Sequence, residues 1–175
     1  LINSIARQLP LLTIASFSNS QLLADFSLVQ RCLAAPQTLM GTIMIDNIKR
    51  AWNNNKLEIK KTIKLYSIAI VFTSFVSFIL ITGYAHQFAN KPNFIILCSL
   101  LMFIPSVTRA VASSVSVLIL LAGREVTDLY YQLIHISILI LLIVVNVSEI
   151  QYIIYYSICI NIFYLLYYRT SKNCA

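Results

Sequence analysis

Three arginines, Arg7, Arg31 and Arg109, stand inside long apolar runs. An arginine at the centre of a membrane-spanning helix costs about 2.5–3.5 kcal/mol on insertion scales, so it normally faces a bundle interior or a wet cavity and marks a pathway. Ser27, Thr38 and Thr42 fall at −4, +7 and +11 from Arg31, and Ser106, Ser113 and Ser116 at −3, +4 and +7 from Arg109. Each set forms one helical stripe. Asn3 stands four residues before Arg7, on the same face. This pattern predicts a water-filled cationic cavity with an anionic ligand, because the planar guanidinium donates two parallel hydrogen bonds to phosphate. Asp25 is the acidic residue nearest these stripes, placed to pair with an arginine or to handle a cation or proton. Pro36 and Pro105 lie within a turn or two of Arg31 and Arg109. Each frees a backbone carbonyl and bends its helix, as in the broken helices that line transporter sites. The plainer alternative is that the guanidinium groups bond backbone carbonyls or snorkel, and that the prolines are ordinary kinks.

The segments that carry these residues must be membrane helices. Of 175 residues, 59% are hydrophobic and 11% charged, with a mean hydropathy of +0.81. Soluble domains carry about 25% charged residues and need them to cover their surface. A bilayer span takes about 20 mainly apolar residues. Six segments qualify: A, 1–18; B, 21–45; C, 63–85; D, 93–121; E, 128–147; and F, 150–168. All are apolar on both parities, unlike a membrane strand. The expectation is an all-α integral membrane bundle of about six transmembrane helices, one domain over residues 1–175. The polar stretch Asp46–Lys61 reads as a loop between B and C.

Basic residues fix the orientation. The B–C region carries Lys49, Arg50, Lys56, Lys60, Lys61 and Lys64; the D–E loop carries Arg124; the tail carries Arg169 and Lys172. The opposite loops hold Lys91 alone. With six crossings, the positive-inside rule puts B–C, D–E and the C-terminus in the cytoplasm. The net charge of +7 is dispersed in this way rather than gathered in a patch, so nucleic acid is not expected as a partner. Tyr152, Tyr155 and Tyr156 near one end of F, and Tyr164, Tyr167 and Tyr168 near the other, read as interfacial belts or as helix packing.

Other chemistry is sparse. Cys32, Cys98, Cys159 and Cys174 have no zinc or CxxC spacing and read as small packing residues. His86 and His135 have no ligand-like neighbours, and neither a metal nor a cofactor is expected. No nucleophile elbow, HExxH, phosphate loop or carboxylate pair is present, so the reading is a transporter, not an enzyme. The sequon at Asn146 abuts the membrane and reads as chance. The start at Leu1, within an apolar stretch and without a charged n-region, suggests a fragment whose first helix is cut rather than a signal peptide.

Taken in order, the motifs resemble a family. Segment A reads NSIARQLPLLTIASF, with Asn3, Ser4, Arg7 and Gln8 matching an N-S-x-x-R-Q start. Segment B reads ADFSLVQRCLAAPQTLMGTIM, where Phe26, Ser27, Arg31 and Pro36 match an aromatic-Ser…Arg…Pro helix. RAWNNN follows, and segment D reads PSVTRAVASSVSVLILLAGRE, with Ser113, Ser114, Gly123 and Arg124 in register. The whole is similar to the polysaccharide-export flippases of the MOP superfamily (O-antigen and capsule repeat-unit translocases, Wzx-type). The junction IDNIKRAW departs from the aromatic–proline pair that many relatives carry there.

The resemblance implies two six-helix bundles around a central cavity, this chain being the second and C-terminal one. It implies alternating access that carries an undecaprenyl-pyrophosphate-linked oligosaccharide across the bacterial inner membrane for lipopolysaccharide or capsule. Arg7, Arg31 and Arg109 would contact the pyrophosphate or acidic sugars, with Asn3, Asp25, Ser27, Thr38 and Ser113 beside them. Membrane lipids, a polysaccharide polymerase and a chain-length regulator are the implied partners. A multidrug exporter of the same superfamily fits less well, since typical drugs are cations. A membrane-embedded glycosyl- or acyltransferase would have only Asp25, Asp128 and His135 to work with.

Overall fold

The computed structural model describes Thr13 and residues 20–52, 56–88, 92–145 and 148–174. Among the described residues the chain is helical throughout, with no strand. The helices are α1 (Ser20–Trp52), α2 (Lys56–Phe88), α3 (Pro92–Val115), α4 (Val117–Leu121), α5 (Glu125–Val144) and α6 (Glu149–Lys172). Four stretches are long and apolar enough to cross a bilayer: Leu57–Gln87, Pro92–Leu121, Glu125–Val144 and Ile150–Lys172. They are the mark of a multi-pass membrane protein. The second of them is α3 and α4 run together across Ser116.

Segment A lies outside the described residues apart from Thr13. Segment B forms α1, but α1 is not one of the four apolar stretches. Asp25, Gln30, Arg31, Gln37, Thr38 and Thr42 make its middle too polar. The expected B–C loop is largely helix: α1 runs to Trp52 and α2 starts at Lys56. At about 1.5 Å per residue, 33 residues reach about 50 Å, well beyond a 30 Å hydrocarbon core. The charged residues there lie within the helices and do not end them. Asn47 Nδ2 donates to Tyr66 Oη at 2.9 Å and ties the two extensions together. Arg169 and Lys172, expected in a tail, close the last turn of α6.

Local sequence sets the breaks. Gly123 has φ +69°, the left-handed conformation that ends a helix. Its N–H reaches Leu120 O at 3.0 Å and Arg124 N–H reaches Ile119 O at 2.9 Å, a Schellman pair. Ser148 caps α6, its N–H bonded to Gln151 Oε1 at 3.1 Å.

Helix α3 is the hub, packed on α1, α2 and α6, while α5 leans on α6 alone among the long helices. One apolar cluster joins Phe26, Val29 and Leu33 of α1 to Cys98 and Met102 of α3 and to the inner face of α6. A second joins Met44, Ile48, Ile59, Ile63 and Leu118 at the end where α1 stops and α2 begins. Tyr152, Tyr156, Tyr164 and Tyr167 are buried in helix contacts and Tyr155 is exposed, so packing rather than a belt accounts for most of the tyrosines. Their side of α6 faces the bundle, where Tyr167 lies tilted against Tyr131, Tyr164 meets His135 edge-on and Tyr152 stacks on Tyr156.

Lys49, Arg50, Lys60, Lys61, Lys64, Arg124, Arg169 and Lys172 gather at that same end of the bundle. The remaining described arginines, Arg31 and Arg109, lie elsewhere.

Candidate functional site

Helix α1 crosses α3 closely because small residues meet there. A Cβ on Gly41 would stand 2.9 Å from Ser114 Oγ. Small residues let helix backbones approach where lipid supplies no hydrophobic drive. Beside the crossing lies a cleft of about 430 Å³. Helix α1 lines it with Gln30, Arg31, Gln37, Thr38 and Thr42, α3 with Pro105, Ser106, Arg109 and Ser113, and α6 with Tyr156 and Ile160.

Arg31 is exposed and Arg109 half-buried. Among the described residues neither guanidinium makes a hydrogen bond or ion pair, and no carboxylate lines the cleft. The hydroxyls are already committed as donors: Thr38 to Ala34 O at 2.6 Å, Thr42 to Thr38 O at 2.9 Å, Ser113 to Ala110 O at 3.1 Å. They therefore offer lone pairs, which suit water or a sugar hydroxyl. The guanidinium groups carry the charged donors, which suit phosphate or carboxylate.

Beneath the cleft a polar knot joins three helices. The buried Gln37 donates from Nε2 to Ser74 Oγ of α2 at 2.8 Å and to Ser106 Oγ of α3 at 3.1 Å. Both serines pass their own protons to helix carbonyls, at Ile70 and Phe103. Pro105 has no N–H for the carbonyl of Leu101, four residues back. Ser157 Oγ of α6 supplies the missing donor at 2.6 Å. The proline is thus accommodated in the cleft wall without an orphaned carbonyl at Leu101.

Of the residues expected at a site, Arg31, Arg109, Thr38 and Ser113 share this cleft. Asn3 and Arg7 lie outside the described residues. Asp25 does not line the cleft. Six residues before Arg31 on one helix, it stands about 9 Å along the axis and on another face, so it cannot pair with Arg31. Ser27 is also away from the cleft, its Oγ bonded to Ala24 O at 2.9 Å. Ser116 likewise turns to Ser113 O at 2.7 Å. Gln30, Gln37 and Tyr156 were not anticipated. Gln30, Ala34, Gln37 and Gly41 form a small-and-polar stripe at +4, +7 and +11, and that spacing was the available signal.

Asp128 and His135 lie on α5, outside the cleft. Asp128 accepts from Gln132 Nε2 at 2.6 Å and from the Tyr167 hydroxyl. His135 stacks on Phe163 with centroids 5.0 Å apart. Among the described residues no group of three His, Cys, Asp or Glu is placed to hold a metal. Comparison with family models, with curated proteins and with solved structures finds no match.

Proposed function

We propose that this chain is one six-helix bundle of a flippase that moves an undecaprenyl-pyrophosphate-linked oligosaccharide between membrane leaflets, as the family it resembles does. The observation that carries the reading is the pairing of Arg31 and Arg109 on one cleft without a lining carboxylate. Two uncompensated guanidinium groups amid apolar helices cost several kcal/mol unless an anion or water meets them. A pyrophosphate meets them, and the hydroxyl lone pairs and Gln30 beside them suit the sugar that follows. On this reading α1 is a true crossing, held in place by its neighbours rather than by its own apolarity. The end rich in lysine and arginine then faces the cytoplasm, in a bacterial inner membrane.

The test is complementation of a flippase-null strain by the full-length protein, with surface polysaccharide read on a gel. Arg31→Ala and Arg109→Ala each remove a charge-assisted contact of about 1.5–3 kcal/mol, and transport falls about 10- to 100-fold or more. Arg31→Lys keeps the charge, loses the fork and retains part of the activity. Membrane-fraction immunoblots show the variants at normal level. Wild-type polysaccharide from both alanine variants removes the assignment.

A further inference from the structure

Helices α2 and α6 barely meet along their length. At the lysine-rich end they leave a second cleft of about 540 Å³ that shares no residue with the arginine cleft. Lys60, Lys64, Ser67 and Ile68 of α2 line it, with Tyr168 and Lys172 of α6. We propose that this cleft binds the phosphate headgroup of an anionic membrane phospholipid, whose acyl chains lie along the outer stripe of α2.

Five observations converge. Lys60 and Lys64 stand one turn apart on a single face, and Lys172 approaches from the facing helix. All three are exposed, and among the described residues none makes an ion pair or hydrogen bond. Glu58, the acid nearest in sequence, projects about 200° around the helix from Lys60 and does not line the cleft.

Ser67 adds a donor without a partner. Thr73, Ser74, Ser77 and Thr82 on the same helix each bond the carbonyl four residues earlier. The buried Oγ of Ser67 bonds nothing among the described residues, and its residue lines the cleft. It leaves one uncommitted hydroxyl beneath the wall of the cleft.

The cleft also opens onto a path for acyl chains. Ile68 lines it yet is 60% exposed, and Phe72, Phe75 and Ile79 continue the same outward stripe. A headgroup among the lysines thus leaves its chains where α2 offers hydrocarbon contact. A soluble phosphate would gain only the first half of this arrangement. Basic pockets between helix ends hold lipid headgroups by this combination of charge and depth. The proposal stands on the bilayer-length helices alone and is independent of the transported cargo.

Native mass spectrometry of the purified full chain, titrated with phosphatidylglycerol or phosphatidylcholine, tests it. Each lysine near an anionic headgroup contributes about fivefold, so retained phosphatidylglycerol exceeds phosphatidylcholine by about tenfold or more. The variant Lys60→Gln/Lys64→Gln/Lys172→Gln brings the two lipids to parity. The charge-matched variant Lys49→Gln/Arg50→Gln/Lys61→Gln, at the same end but off the cleft, loses markedly less than the cleft variant, since its residues add to the surface potential without lining the headgroup site. Millimolar inorganic phosphate leaves the bound lipid in place. If the cleft variant is not monodisperse, Lys64→Gln alone gives about a fivefold loss. Undiminished preference in the cleft variants, equal loss in the off-cleft variant, or displacement by inorganic phosphate each overturns the proposal.

Discussion

Helices α1 and α2 are neighbours of identical length, 33 residues each, joined at one end and packed side by side. Their outer faces have nothing in common. Helix α2 turns out Leu65, Ile68, Phe72, Phe75, Ile79 and Leu80, with Phe72 66% exposed. Helix α1 turns out Arg31, Cys32, Ala34, Ala35, Thr38 and Thr42, and its large exposed apolar residues are Leu39 and Ile43. Lipid tails are as apolar as leucine, so α2's face is at home in them. A face of hydroxyls and a guanidinium is not, and it belongs against water or protein. Length makes a helix able to span; the composition of its outer face says what it looks at.

The sharpest way to break this comparison is to exchange the two outer faces at one position. Phe72 sits at the centre of α2 and Arg31 in the first half of α1. Leucine and phenylalanine contribute about −0.3 to −0.6 kcal/mol to insertion and arginine about +2.5 to +3.5 at a helix centre. Phe72→Arg should therefore cost α2 about 3 kcal/mol as an isolated segment in a translocon-insertion assay, and Arg31→Leu should gain α1 a comparable amount. Wild-type α2 should insert almost fully and wild-type α1 poorly. Unchanged insertion of α1 on losing Arg31 would mean that this arginine does not sit at membrane depth.

What could be read beforehand follows the same division. Arg31 with Thr38, and Arg109 with Ser113, were legible because a stripe on one helix needs only the helical repeat. Asp25 and Ser27, expected beside the arginines, do not line the cleft. Asp25 lies 240° around the helix from Arg31, and Ser27, though on its stripe, lies a turn beyond the cleft. The stretch Asp46–Lys61 reads as a loop when charge is taken to end a helix, whereas the helices run to Trp52 and resume at Lys56. Gln37, Ser74 and Ser157 were out of reach for another reason: their partners sit 37, 69 and 56 residues away, on helices whose neighbours no local pattern specifies.

Glycine gives a second contrast between the same two helices. Gly41 of α1 has Ser114 Oγ 2.9 Å from its would-be Cβ, while Gly83 of α2 has nothing within 4 Å among the described residues. Gly41→Leu should overpack the α1–α3 crossing and cost about 1–3 kcal/mol. Gly83→Leu should instead stabilise by about 0.5–1 kcal/mol, because it removes backbone freedom from a helix interior and meets only lipid. Thermal unfolding of the purified protein in one detergent reads both. Opposite signs keep the comparison. A loss at Gly83 would place protein against the face assigned here to lipid.

The smallest effect concerns the bond that joins the two helices. Gln37→Leu removes two side-chain hydrogen bonds, to Ser74 and Ser106, but orphans neither serine, since each still donates to a carbonyl of its own helix. The loss is therefore that of the bonds themselves, about 0.6 kcal/mol each in membrane bundles and about 1 kcal/mol together. Ser157→Ala, by contrast, leaves the carbonyl of Leu101 bare in hydrocarbon and should cost more, about 1–3 kcal/mol. Unfolding in mixed micelles ranks the two. If Gln37→Leu proved the costlier, its amide would be holding α1 against α2 through more than these two bonds, and α1 would owe its place in the membrane chiefly to that knot.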